Sequence, residues 1–371
     1  MSRKPLILAA LALALPFAAL AQAGPYKVLQ NVKVGGDGGM DYVTADADGR
    51  ALYVARGGAN GAPAHVGVFS LDTFAKLGDI PVTGNGVHGA MVDTSTGHGF
   101  ATSKPITMFD SKTYAVIKSI DVQGNPDGYL NDTFNHRFYV LSHSAPNITV
   151  LDDKDGSILG TIDIGGAPEQ AATDGKGKIY VDIEDKNAIA VIDAKTMTMT
   201  GKYDISSKSG GCAGLALDAK NNILFAACRD KNDMVILSAT DGHILADLPT
   251  GQGCDGMSFN PATMEAFSSQ GDGTITVVKE NSPTSFVVEQ TVTTPVRAKT
   301  ITLDAKTGHL LLITAEYGPA PAPAAAPAAA PVAPAAAGAP AAGGRPGGPG
   351  GFRGPRAPMI PGSFEIVVVG K

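Results

Sequence analysis

Apolar and polar residues alternate with period two along short runs, and the same arrangement returns every forty-odd residues. Each copy opens with an alternating run that ends in Asp. A turn containing Gly or Asn follows, then an aliphatic or aromatic pair with small or β-branched neighbours. The copies are Asp41-Tyr-Val-Thr-Ala-Asp46 with Leu52-Tyr53-Val54; His88 to Asp93 with Phe100; Asp127 to Asp132 with Phe138-Tyr139-Val140; and Glu169 to Asp174 with Ile179-Tyr180-Val181. Three more are Ala213 to Asp218 with Leu224-Phe225, Asp255 to Asn260 with Ala266-Phe267, and Lys299 to Asp304 with Leu310-Leu311. Alternation at this length predicts strands that bury one or both faces. Third and fourth runs complete most copies, as in Ile148 to Asp152 and Ile158 to Ile164. Asp155-Gly156 and Asp241-Gly242 supply tight turns.

A single four-stranded sheet cannot cover both of its faces, whereas seven stacked in a ring can. The pattern therefore predicts an all-β, seven-bladed β-propeller, each blade built of strands a to d from the channel outward. The seventh copy has strands a and b at about 298–303 and 309–315. Its strand c is expected at Phe364 to Val369, and its strand d at the other end of the chain, Lys27 to Val34. The two termini would then share the last blade and close the ring, which removes free sheet edges.

The Tyr-Val pair after the Asp turn, in Leu52-Tyr53-Val54 and Ile179-Tyr180-Val181, resembles the YVTN-type repeat of YncE-like propellers. Cys212 to Asp218, Cys228 and Gly271-Asp-Gly-Thr-Ile-Thr-Val-Val278 resemble an exported branch of that family. The resemblance spans essentially the whole chain after residue 23. It implies a periplasmic seven-bladed ring used more as a binding scaffold than as a catalyst. Related propellers also occur in quinoprotein amine dehydrogenases and nitrous oxide reductases, but no cofactor motif of those enzymes is present in this sequence.

The N-terminus bears on compartment. Arg3 and Lys4 precede an apolar run, Leu6 to Leu20, and Ala21-Gln22-Ala23 offers a small-x-small cleavage site. Residues 1–23 read as a secretory signal peptide, with no lipobox cysteine, leaving 24–371 as one propeller. The expected location is periplasmic or secreted, with no membrane span after cleavage. The full chain carries −6, and losing the two basic residues leaves the remainder at −8. Such a body lacks the basic face that phosphate backbones need.

Residues 318–358 break the repeat. This Pro/Ala/Gly-rich stretch reads as a disordered insert between strands b and c of blade 7, emerging on the face where strand a begins. Arg345, Arg353 and Arg356 make it basic, so any contact with nucleic acid would be weak and confined to it.

The position five residues before each turn Asp reads Asp41, His88, Asp127, Glu169, Ala213, Asp255 and Lys299. These residues start the strands that line the channel, so equivalent positions share a height at one mouth. Like charges gathered there raise carboxylate pKa values or call for a cation. The mouth is the candidate site for a small cationic ligand or a divalent metal held by Asp41, His88, Asp127, Glu169 and Asp255; the alternative is a solvated lining around a water-filled channel. Carboxylates suit Ca²⁺, and His88 adds the option of Zn²⁺. His143 falls on the same face, while His98, His136, His243 and His309 fall in or beside turns and are expected to be exposed.

Cys212 starts strand a of blade 5 and Cys228 ends its strand b, so the hairpin places them opposite one another, compatible with a disulfide. Cys254 holds the matching position in blade 6 and could compete or stay free. No Gly-x-Ser-x-Gly or His-Glu-x-x-His motif appears. The leading functional reading is a non-catalytic, monomeric binding protein of the cell envelope, its small ligand or partner protein held at the mouth. The alternatives are a metal-dependent hydrolase or lactonase-like enzyme and an accessory subunit of a periplasmic redox complex.

Overall fold

The computed structural model describes residues 24–59, 61–84, 86–319 and 357–371. They form seven separate four-stranded antiparallel sheets. Six follow the chain in order, for example Pro168–Thr173, Lys178–Ile183, Ala188–Asp193 and Thr198–Asp204 in blade 4. Blade 7 takes Ile301–Asp304, His309–Thr314 and Glu365–Gly370 from the C-terminal part and Lys27–Lys33 as its outer strand. The pairing runs from Lys27 opposite Gly370 to Lys33 opposite Glu365. Tyr26 locks the same segment onto blade 6. Its amide donates to Gln290 Oε1 at 3.0 Å, and Gln290 Nε2 donates back to its carbonyl at 2.7 Å.

Period-two alternation divides each strand between two seams. In blade 1, Leu52 and Val54 pack with Leu311, Ile313 and Phe364 of blade 7. Tyr53 and Ala55 face the other way and pack with Ala90, Ala101 and Phe109 of blade 2. One such apolar cluster fills each of the seven seams between neighbouring blades. The core is therefore a ring of seams, and no blade buries itself alone.

The repeated Asp has a local cause. Asp46 Oδ1 accepts the amides of Asp48 and Gly49 at 3.1 and 2.8 Å, and Asp218 and Asp304 do the same for Lys220 and Lys306. These Asx turns join strands a and b on one face, opposite the mouth. His136 is exposed there and His98 half-buried, and both have partners. His136 Nδ1 lies 3.0 Å from Asp93 Oδ2, and His98 Nδ1 lies 3.0 Å from the Asp153 carbonyl oxygen. Neighbouring blades supply these groups.

The expected signal peptide, 1–23, lies outside the described residues, as does 320–356 of the insert. The insert's described ends are paired: Gly318 N donates to Pro358 O at 2.9 Å and Ile360 N to Glu316 O at 2.8 Å. It leaves blade 7 between strands b and c. Among the described residues, no helix is long and apolar enough to cross a membrane.

Candidate functional site

The mouth residues are aimed by a shared irregularity. In blades 1 to 6, strand a carries one more residue than strand b at its mouth end, so a β-bulge falls at the ring position. In blade 1, Met40 pairs with Arg56 and Val43 with Val54, leaving Asp41 and Tyr42 opposite Ala55 alone. A bulge bends its strand and redirects a side chain. Repeated around the ring, it turns Asp41, His88, Asp127, Glu169 and Asp255 towards a common centre. Lys299 joins them from the link just before the inner strand of blade 7.

These side chains meet in two arcs. In the first, His88 Nδ1 lies 2.7 Å from Asp41 Oδ2 and 3.2 Å from Asp127 Oδ1. His143 Nε2 continues it, 3.5 Å from Asp127 Oδ2 and 3.6 Å from Glu169 Oε1. In the second, Arg229 donates to Glu184 Oε1 at 2.6 Å, to the Cys254 carbonyl at 2.8 Å and to Asp255. Lys299 also pairs with Asp255. The five sequence-derived metal candidates thus separate: Asp41, His88 and Asp127 stand together with Glu169 beyond His143, while Asp255 is engaged by two cations.

Blade 5 offers only Ala213 at the ring position, and its charge comes from Arg229 instead. The disulfide between Cys212 and Cys228 ties strands a and b together directly beside Ala213 and Arg229. Cys254 is free and buried, and burial pushes its thiol up to about 11. Glu184 sits in a short 3-10 turn, Glu184–Lys186, just after strand b of blade 4. Sequence reasoning missed Arg229 and Glu184. Their signal is the residue that follows strand b: Lys104, His143, Glu184 and Arg229 in blades 2 to 5.

The next residue after each ring position closes the channel. These are Tyr42, Gly89, Gly128, Gln170, Gly214, Gly256 and Thr300. Tyr42 Oη crosses from blade 1 to donate to the Glu169 carbonyl at 3.2 Å. Thr300 Oγ1 donates to the Asp41 carbonyl at 2.9 Å. Gln170 donates to Met257 O at 3.1 Å and accepts from the amides of Leu215 and Met257, both at 3.0 Å. The glycines admit this close approach. A Cβ on Gly89 would stand 1.9 Å from the Tyr129 ring, and one on Gly128 would stand 2.5 Å from Glu169 O. Below the tier, the Tyr42 and Tyr129 rings meet edge to face at 5.5 Å, and Tyr129 bonds Thr44. Tyr42 and Gln170 thus reach across to other blades and form a floor, and the mouth above it is a cup.

The charges in the cup are crowded. Burial raises the Asp41 pKa, with Asp127 and Asp255 adding to the shift and His88 opposing it. Burial also raises Glu169, reinforced by Glu184, Asp127 and Asp255 and opposed by Arg229. Below the floor, Asp182 is fully buried and pushed up to about 8 by burial, although it accepts the Gln170 amide at 2.6 Å. For Lys299, burial favours the neutral form, but Asp255 and Asp41 outweigh it and hold the ammonium charged. The ring side chains still keep between 15% and 44% of their exposure, so the cup is open to solvent above.

A second recess, about 410 Å³, lies at the outer seam between blades 7 and 1, lined in part by Gly35, Arg56, His65, Lys76 and Asp79. Its charges are matched locally. Lys76 pairs with Asp79 at 2.7 Å, and Arg56 bonds the Gly35 and Asp37 carbonyls while stacking on Phe364. It has no counterpart to the excess of carboxylates in the cup.

Neither a protein-family model nor a curated protein matches this chain. Among solved structures, one chain of a mitotic checkpoint complex is similar, with a TM-score of 0.64 at 12% identity, covering 84% of this chain and 95% of that one. At that identity the likeness speaks to fold alone. It agrees with the strand order: the chain is an all-β propeller of seven four-stranded blades closed by its two termini.

Proposed function

We propose that this chain is an exported, YncE-like propeller that acts as a binding protein, holding a small polar ligand, or a polar group of a partner protein, in the cup at the mouth face. The observation that carries the reading is the ring of charged groups, five aimed by repeated bulges and joined by Lys299, above side chains that reach across the channel and open to solvent. Carboxylates forced together in a concave site are unfavourable for the free protein and are relieved by a bound cationic or hydrogen-bonding group. The Cys212–Cys228 bond and the leader-like 1–23 support an oxidising, extracytoplasmic setting.

A thermal-shift screen of amines, amino acids and polyamines tests this on the chain from residue 24 onward. Ligands that stabilise the protein should lose their effect in Asp127→Asn/Glu169→Gln and keep it in Asp72→Asn, an exposed turn-face change. Stabilisation that survives the mouth variant, or no stabilisation by any compound, would contradict the reading.

A further inference from the structure

The first arc of the cup has a more specific geometry than a polar lining needs. His88 Nδ1, one oxygen of Asp41 and one of Asp127 all lie within 4.8 Å of one another. His88 Nδ1 is 2.7 Å from the first oxygen and 3.2 Å from the second. Ligand atoms bound at 2.0–2.1 Å around a tetrahedral zinc are spaced by about 3.4 Å, so only small rotamer adjustments separate this set from a coordination shell.

We propose that Asp41, His88 and Asp127 form a binding site for a divalent first-row transition cation, Zn²⁺ being the best fit. The proposal rests on the reading of the mouth as a ligand cup and names one occupant of it.

Three features favour it over a simple acidic cluster. The set is mixed, and an imidazole nitrogen between two carboxylate oxygens suits zinc-like ions better than calcium, which prefers an all-oxygen shell. A second imidazole, His143, stands against the far oxygen of Asp127 at 3.5 Å and against Glu169 at 3.6 Å. A ligating carboxylate is ordinarily held by such an outer partner, which fixes its orientation. The donors are also fixed by framework: Asp41, His88 and Asp127 each sit on a bulge, and the floor beneath is tied by Thr300 to the Asp41 backbone and by Tyr42 to the Glu169 backbone. Asp255, the remaining carboxylate of the ring, is neutralised by Arg229 and Lys299, so the cation's attraction is focused on the first arc. The open side of the set faces solvent, which leaves coordination positions for water or for a ligand donor.

Isothermal titration of the metal-stripped chain with Zn²⁺, Mn²⁺ and Ca²⁺ tests the site, with Co²⁺ absorption reporting the donor set. One equivalent of Zn²⁺ should bind. His88→Ala and Asp127→Asn should each weaken it at least tenfold, while His243→Ala, at an exposed turn, should leave it unchanged. Circular dichroism melts should show all three variants folded. No zinc binding, zinc binding indifferent to both site variants, or a Ca²⁺ site that survives His88→Ala would overturn the assignment. If zinc fails to bind, polar-ligand stabilisation that persists in the stripped protein would keep the cup and remove only the metal. Loss of both would remove the cup as well.

Discussion

The two faces of the ring both carry a circle of acidic side chains, and Asp93 and Asp304 on one are shifted opposite to Asp41 and Glu169 on the other. On the turn face, each Asp is bonded to amides of its own turn, as Asp46 is to Asp48 and Gly49. Asp304 adds a two-pronged pair with Arg50, at 2.8 and 2.9 Å, which joins blade 7 to blade 1. Burial alone would raise the Asp304 pKa, but Arg50, Thr307 and the Lys306 amide outweigh it and hold the pKa low. On the mouth face, Asp41 and Glu169 are shifted upward, because burial and other carboxylates outweigh their partners. One circle stabilises the ring, and the other is held in place by it. A site whose charges oppose folding is the expected signature of function.

The contrast can be broken from either side. The largest expected effect is at the support beneath the mouth. The Cys212–Cys228 bond spans 16 residues, and replacing both by Ala should cost about 3 kcal/mol in urea unfolding. Close behind is Asp304→Ala, which leaves Arg50 only Asp72 as a carboxylate partner and removes the turn bonds, for a loss of about 2–3 kcal/mol. Because the folded pKa of Asp304 is depressed, its contribution is present above the ordinary carboxylate pKa of about 4 and disappears as pH falls through the lower folded value. Wild type should therefore lose stability on acidification faster than Asp304→Ala, measured by melts between pH 7 and pH 3.

Glu169→Gln should move the other way and by less. A raised folded pKa means that stability is lost as pH rises from the ordinary carboxylate range towards the folded value. At pH 8 the variant should match or exceed wild type by up to about 1 kcal/mol. The smallest effect is expected from replacing 320–356 by two glycines. The insert's ends are already joined through Gly318–Pro358 and Ile360–Glu316. Between the flanking strands the loop falls from 50 residues (315–364) to 15, and since length enters loop-closure entropy only logarithmically, the change should stay within about 1 kcal/mol.

The repeat made the turn circle legible, because an Asp followed by a turn is a local device that the chain order displays. It also made the ring positions legible, through their constant offset of five residues from that Asp. Convergence at one mouth followed from the same offset, but the device that aims the side chains was not legible. It is the repeated bulge, and Asp41-Tyr42 against Ala55 looks in sequence like any other strand pair. Arg229 and Glu184 escaped because they come from strand b, and their partners lie one blade away. The floor escaped for a related reason. Tyr42, Gln170 and the intervening glycines follow the ring residues directly, but whether they cross the channel depends on how closely seven strands approach.

Whether the mouth circle is held against its own charge for binding is read by measuring the two circles in one experiment. Urea unfolding at pH 8 of Asp127→Asn/Glu169→Gln and of Asp304→Asn, each against wild type, reads both. The mouth variant should be at least as stable as wild type, and the turn variant weaker by more than about 1 kcal/mol. A mouth variant that loses as much stability as the turn variant would make the mouth circle structural and overturn its reading as a binding site.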